Sequence, residues 1–115
     1  MGSTGSGRFT DYPGEPGSDD KCEKAIAAKL EDVEQCEYYK KHGTVPTVGA
    51  VLELAHKKRV VAQTQSGEIV GNLPTQFNYL AGCLRQGYSY TGQVRDSKSG
   101  PPVAIVSADF GAVAP

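Results

Sequence analysis

The chain has 115 residues, and its 12 lysines and arginines stand against 13 aspartates and glutamates, which gives a formal net charge of −1. A net charge this close to zero creates no overall positive potential that would attract the phosphates of a nucleic acid. The 38% of hydrophobic residues is enough for one compact core. No apolar run approaches the roughly 18 residues of a membrane span, and residues 1–7 lack the order of a secretion signal. We therefore expect one cytoplasmic domain with no membrane partner.

The start of the chain is rich in glycine, proline and serine, and its only sizeable apolar side chains are Phe9 and Tyr12. Such a stretch buries too little apolar surface to order itself. We predict a flexible leader over residues 1–18, which is either a native linker or a cloning remnant. The domain is predicted over 19–110, followed by a tail of small residues at 111–115.

A helix is predicted over residues 20–42. Asp20 is a suitable N-cap, and Glu23 stands three residues later, as in a capping box. The apolar residues recur at helical spacing: Ile26, Leu30 and Val33. His42 follows two lysines in the last turn, and Gly43 suits the left-handed position that ends a helix.

After Pro46 the apolar period changes to that of strands. Three strands joined by short turns are predicted at 48–55, 59–64 and 68–72. A short helix is predicted over 75–86, because apolar side chains recur there at helical spacing: Phe77, Leu80, Ala81 and Leu84. A strand with one wet face is predicted at 88–95, and a last strand at 103–106.

The order of these elements predicts an α+β fold. The links between the first three strands are too short for parallel crossovers, so the sheet is expected to be antiparallel. About five short strands with interior glycines favour closure into a small β-barrel, with the 75–86 helix, which precedes the fourth strand, plugging one end. The 20–42 helix is expected to pack outside this barrel or across its rim.

The three cysteines predict reduced thiols. Cys22 and Cys36 lie about 21 Å apart along the predicted helix, too far for a disulfide. Cys83 stands beside the apolar stripe of the second helix and has no guaranteed partner. There is no C-x-x-C pair, so we expect packed thiols and no zinc site.

The sequence carries no pattern for catalysis or cofactor binding. The two histidines, His42 and His56, are fourteen positions apart and lack the spacing of a metal-binding helix. There is no G-x-S-x-G segment and no glycine pattern that would cradle a phosphate. A cysteine-dependent enzyme would need Cys83 to meet a histidine through the tertiary fold. We expect a non-catalytic protein without cofactor or metal.

A basic cluster and several tyrosines form the candidate binding site. The cations are Lys57, Lys58 and Arg59 at a predicted hairpin tip, with Arg85 as a companion. The aromatic side chains are Tyr79, Tyr88 and Tyr90. Cations beside exposed rings suit single-stranded nucleic acid, because phosphates pair with the cations and bases stack on the rings. The same residues also fit a purely structural interpretation, a solvated hairpin tip with tyrosines in the sheet.

Residues 66–74 (SGEIVGNLP), the helix at 77–84 (FNYLAGCL) and the strand at 88–94 (YSYTGQV) together resemble a HIRAN domain. The resemblance covers about residues 66–95. It implies an SH3-like or OB-like barrel of the kind found beside helicases and nucleases, where it grips single-stranded DNA ends. Residues 59–64 lack the family's N-x-x-D-x-N-A segment, so the resemblance extends to the barrel and not to the DNA-end pocket.

These observations predict an accessory module that binds a ligand. Two ligands fit this prediction. One is single-stranded nucleic acid bound at the basic cluster, and the other is a protein or peptide that lies along an open strand edge. The alternative is an assembly subunit that uses the 20–42 helix as a contact face. The oligomeric state is not predicted.

Overall fold

Six strands form one antiparallel sheet in the computed structural model, which describes residues 21–115. The strands are β1 (Ile26–Lys29), β2 (Val51–His56), β3 (Val60–Thr64), β4 (Ile69–Asn72), β5 (Ser89–Lys98) and β6 (Ile105–Val113). Their order across the sheet is β1-β6-β5-β2-β3-β4, and the sheet curls into a half-barrel. The predicted antiparallel α+β architecture is therefore present, with one strand more than expected. The predicted leader at 1–18 lies outside the described residues.

The helices are short. Helix α1 spans Glu37–His42 and helix α2 spans Leu80–Arg85, and 3-10 turns occupy Val33–Gln35 and Thr75–Phe77. The helix predicted over 75–86 is confirmed as the second turn followed by α2. Helix α1 ends at His42, as the lysines, His42 and Gly43 predict. Gly43 follows it in the left-handed conformation, with φ 69°.

The predicted helix over 20–42 is wrong in its first half, where the chain forms β1. Ile26 and Ala28 are buried and Ala27 and Lys29 are exposed, which is the two-residue period of a strand. Pairing with β6 overrides the local helical preference of the alanines. Asp32, in the left-handed conformation at φ 57°, then turns the chain away from the sheet.

The predicted middle strands are confirmed with small shifts of their ends, as β2, β3 and β4. The last strand is longer than the predicted 103–106, and β6 runs through Gly111 to Val113 into the predicted tail. Its inward residues Val106, Ala108 and Phe110 are buried, and Ser107, which is covered where β1 and β5 pair with β6 on both sides, is buried as well. Because β6 lies between β1 and β5, it pairs on both sides and is stabilised over a longer stretch.

Two glycines allow the sheet to curl tightly. A methyl group on Gly92 of β5 would overlap the carbonyl oxygen of Asp109 and lie 2.8 Å from the Cα of Phe110 on β6. A methyl group on Gly71 of β4 would lie 2.8 Å from the Cβ of Leu30. Both positions therefore need a residue without a side chain. The inner face is filled by apolar side chains such as Leu52, Leu73, Leu80, Val94 and Val106.

Candidate interaction surfaces

The two end strands of the sheet meet at a single residue pair. Glu31, just after β1, and Asn72, at the end of β4, exchange both backbone hydrogen bonds, with N···O distances of 2.7 and 2.9 Å. The ladder stops on one side because Asp32 is left-handed, and on the other because Pro74 has no N–H to donate. We call the boundary between residues 22–31 and 72–83 the seam.

Arg59 fastens this end of the seam. Its guanidinium donates to the Leu73 carbonyl oxygen at 2.8 Å, to Glu31 Oε1 at 3.2 Å and to Asp32 Oδ2 at 3.5 Å. The Asn72 side-chain amide donates to the same Asp32 oxygen at 2.9 Å. Arg59, a predicted binding residue, is thus occupied in holding the barrel together.

The other predicted cations remain exposed. Lys57 and Lys58 form the tip between β2 and β3, and within residues 21–115 no ion pair engages either ammonium group. Arg85 is exposed at the last turn of α2. Arg59, next to Lys58 in the chain, pairs with Glu31 and Asp32, so these carboxylates offset one of the three predicted cations of the tip.

The predicted tyrosines do not form a stacking surface. Tyr90 is 1% exposed, and its hydroxyl donates to the Cys22 carbonyl oxygen at 2.6 Å. Tyr88 is also buried, whereas Tyr79 is partly exposed with the Lys21 ammonium 5.4 Å from its ring centre. Burial, with smaller effects of Tyr79 and Tyr88, raises the pKa of Tyr90 to about 12. The assignment of Tyr88 and Tyr90 as base-stacking residues is therefore wrong, because neither ring offers a face to solvent.

The prediction of three reduced cysteines is also wrong. Cys22 and Cys83 form a disulfide with Cα atoms 5.5 Å apart, and both residues are buried. The spacing along the predicted helix excludes only a bond between Cys22 and Cys36, and the fold instead brings Cys83 of α2 to Cys22. Cys36 is the free cysteine in the described part of the chain, and its pKa is raised by burial and by Asp32 and Glu37. Cys83, bonded to sulfur, is not available as a nucleophile.

Helix α1 is anchored to the β3–β4 turn through Glu68. The Glu68 carboxylate accepts from Lys41 Nζ at 2.8 Å and from His42 Nε2 at 3.1 Å. Hydrogen bonds from these two side chains lower the pKa of Glu68. Glu37 Oε1 accepts from the Ile69 backbone N–H at 3.0 Å, so α1 also covers the outer edge of β4. His42 is thus a structural residue of this corner.

The solvent-side residues of β2, β5 and β6 form a surface that we call the outer face. The register places Val51, Gln93 and Asp109 side by side across the three strands. The exposed fractions of three valines are 63% for Val48, 37% for Val51 and 56% for Val113. Val48 and Val51 line a shallow groove of about 810 Å³ with Ala25, Thr91, Gln93 and Gly111. Sequence reasoning predicted a wet face for the fourth strand but not the apolar side chains that the register adds to it.

The outer face carries no excess of cations. Arg95 donates to Asp109 Oδ1 at 3.2 Å and lies 3.6 Å from Asp96 Oδ2, and Glu53 of β2 adds a further carboxylate on the same side of the sheet. The groove itself is lined mainly by uncharged residues. A surface without excess positive charge and with exposed aliphatic side chains is typical of protein contacts rather than of contacts with phosphate backbones.

Comparison with protein-family models, curated proteins and solved structures gives no match. Among the described residues, no helix is long and apolar enough to cross a membrane. The same residues contain no group of three or more histidine, cysteine or acidic side chains placed to hold a metal ion.

Proposed function

We propose that this domain is a non-catalytic module that binds another protein through its outer face. The observation that carries the proposal is the exposure of Val48 and Val51 in one groove, with Val113 exposed on the same side of the sheet. Exposed aliphatic side chains gain free energy when a partner removes them from water, about 25 cal/mol per Å² of apolar area. Exposed apolar side chains that share a groove mark an interaction site more often than single scattered ones do.

The rigidity of this surface supports the proposal. Strands β5 and β6 pair over nine positions, from Ser89 with Val113 to Lys98 with Ile105. A surface on paired strands loses little conformational entropy when a partner binds, because its backbone is already ordered. Gly92, whose position is level with the buried Leu52 and Phe110, lets the backbones of β5 and β6 approach closely beneath this face.

Strand addition at an open sheet edge receives less support. The edge of β4 is covered by α1 through the bond from Ile69 to Glu37. On β1 only Ala27 and Lys29 point their backbone groups away from β6, between the Glu31–Asn72 bridge and the disulfide. Two residues offer too few ladder bonds to hold a peptide. An assembly contact through the predicted 20–42 helix is not proposed, because its apolar residues Ile26, Leu30 and Val33 are buried in the domain and Ile26–Lys29 forms a strand.

Single-stranded nucleic acid remains the second candidate, favoured by the exposed Lys57 and Lys58. We further infer an SH3-like or OB-like barrel related to HIRAN domains. This inference is supported by the short helix between β4 and β5, by Pro74 at the end of β4, and by the close approach at Gly71. Tyr88 and Tyr90 are buried, and Arg59 is paired with carboxylates. The residues that remain for a nucleic-acid site are therefore the two lysines, Arg85 and Tyr79.

Site-specific photocrosslinking tests the proposal. A photoreactive amino acid replaces Val51 on the outer face or Lys58 at the hairpin tip, and the chain is irradiated inside the expressing cell. We expect a protein adduct of discrete mass from position 51 that Val113→Lys abolishes, and none from position 58. An adduct of twice the chain mass identifies a second copy as the partner. Adducts from position 58 alone would contradict the proposal.

Titration with a 20-nucleotide oligothymidine tests the second candidate. If the lysines bind phosphates, affinity at low salt falls steeply as salt is raised and is reduced by the Lys57→Ala, Lys58→Ala double substitution. The Val51→Lys variant is the matched control, since it adds a cation on the other surface. Absence of binding at low salt would remove nucleic acid from consideration.

A further inference from the structure

The Cys22–Cys83 disulfide and the Glu31–Asn72 bridge fasten opposite ends of one seam. The bridge joins the residue after β1's end to the end of β4. The disulfide joins the residues just before β1 to α2, which follows β4 along the chain. Both fastenings therefore connect the same two stretches, 22–31 and 72–83, and together they hold β1 at its two ends.

Between these fastenings, β1 is hydrogen-bonded on one side only by residues of the stretch 21–115. The Leu30 N–H donates to the Val106 carbonyl oxygen at 2.8 Å, so Ala28, two residues earlier in the same register, also faces β6. Ala27 and Lys29 face the seam, and within residues 21–115 their backbone groups have no partner. The opposite stretch cannot provide one, because Pro74 lacks an N–H and Thr75–Phe77 is a 3-10 turn.

Of the two strands that pair with β6, β1 has the shorter pairing. It pairs with β6 at four positions, whereas β5 pairs with β6 at nine. Its inward residues are Ile26 and Ala28, and the small Ala28 contributes little apolar area. At the end remote from the bridge, the described contacts that cross to the rest of the domain include the disulfide, the hydrogen bond from Tyr90 to the Cys22 carbonyl and the approach of the Lys21 ammonium to the Tyr79 ring.

We propose that the Cys22–Cys83 disulfide is a redox latch on β1, which releases residues 21–30 when a dithiol reduces it and leaves strands β2–β6 folded. In the reduction, the sulfur–sulfur bond breaks, and the two electrons and two protons of the dithiol pass to the Cys22 and Cys83 sulfurs. The dithiol becomes a disulfide. Release of β1 uncovers the edge of β6 from Ser107 to Phe110.

Because both sulfurs are buried, local opening of the seam must precede reduction of the disulfide. Cys22 is 1% exposed and Cys83 is 3% exposed, so a dithiol reaches them only when the seam opens locally. The loop between the two cysteines spans 61 positions, and the disulfide therefore restricts a large part of the chain when the seam opens. The latch acts on the fold and does not depend on the proposed function of the outer face.

Hydrogen exchange with mass spectrometry tests the latch on the whole chain. The oxidised protein, the protein held in dithiothreitol and the Cys22→Ser, Cys83→Ser double variant are compared, and alkylation confirms the number of thiols. We expect peptides that cover 26–30 to exchange at least about tenfold faster after reduction, through the amides of Ala28 and Leu30 that face β6, while those at 90–94 in β5 keep their protection. The Cys36→Ser variant is the control, because this free cysteine lies outside the seam, and it should match the oxidised protein.

A second readout follows the Tyr90 phenol by ultraviolet absorbance. When residues 21–25 leave, Tyr90 loses its acceptor and part of its burial, so its ionisation should move to lower pH in the reduced protein. Unchanged exchange at 26–30 would overturn the latch. Equal loss of protection throughout the sheet, including unfolding of the double variant, would also overturn it, because the disulfide would then stabilise the whole domain rather than β1.

Discussion

Glu31 and Asn72 exchange both of their backbone hydrogen bonds and thereby join strands from opposite ends of the sheet. The pair is isolated, since neither neighbouring position continues the ladder. Its persistence depends on the side chains around it, above all on Arg59, which contacts Glu31, Asp32 and Leu73. Closure of the half-barrel at this end is thus a property of a polar cluster rather than of a long strand pair.

Replacement of Arg59 by alanine should lower the free energy of unfolding by about 1–2 kcal/mol. The substitution removes the Arg59 donor from the Leu73 carbonyl and from Glu31, while Asp32 keeps the bond from Asn72, and the partial exposure of the cluster limits the loss. Lys58→Ala on the same hairpin is the control and should stay within about 0.5 kcal/mol of the parent. Urea unfolding measures both. Equal effects of the two substitutions would show that Arg59 is not a structural residue.

Gly92→Ala should destabilise the domain by about 3 kcal/mol or more, since the added methyl group meets the backbone of Asp109 and Phe110. Gly111→Ala lies on the adjacent strand, and its methyl group would have no atom within 4 Å. Thermal unfolding of the two variants should therefore differ by many degrees. A Gly92→Ala protein as stable as the parent would contradict the close approach of β5 and β6.

The valines of the outer face should contribute little to stability. Val113→Ser removes an exposed side chain and should change the free energy of unfolding by less than about 0.5 kcal/mol. Val94→Ala, at a position 2% exposed on the inner side of β5, should cost about 2 kcal/mol. Denaturant unfolding of both variants gives the comparison. A large loss for Val113→Ser would mean that this side chain belongs to the core.

Tyr90 should make stability depend on pH in the alkaline range. Its pKa is raised to about 12 in the folded state from an ordinary value of 10.0, so the folded chain holds this proton more tightly than the unfolded chain does. The resulting stabilisation is complete below pH 10 and is lost as the pH rises towards 12. Urea unfolding between pH 9 and 11 should show a steeper fall for the parent than for Tyr90→Phe. Identical slopes would rule out a buried, protonated phenol.

The middle of the chain could be predicted from the sequence because its signals are local. The Ser66-Gly67 turn, Pro74 and the Phe77–Leu84 periodicity each act within a few residues, and the strands and the short helix lie where these signals place them. Antiparallel pairing followed from the short links alone. The wet face of β5 was also correct, since its outward residues follow a strict alternation.

The first strand could not be predicted because its decisive contacts are distant in sequence. Ile26 and Leu30 fit both a helix and a strand, and the small Ala28 hides the two-residue period. Strand β1 pairs with β6, about eighty positions later, and Cys22 bonds to Cys83. The burial of Tyr90 and the common face of Val51 and Val113 could not be predicted for the same reason, since only the strand register shows them.

The link between Cys22 and Cys83 is the feature on which the fold of the N-terminal stretch and the seam depend most directly. Alkylation of the unreduced, denatured chain followed by proteolysis and mass spectrometry measures it. The account predicts one alkylated cysteine, Cys36, and one cross-linked peptide pair that contains Cys22 and Cys83. Three alkylated cysteines, or a cross-link that involves Cys36, would contradict it.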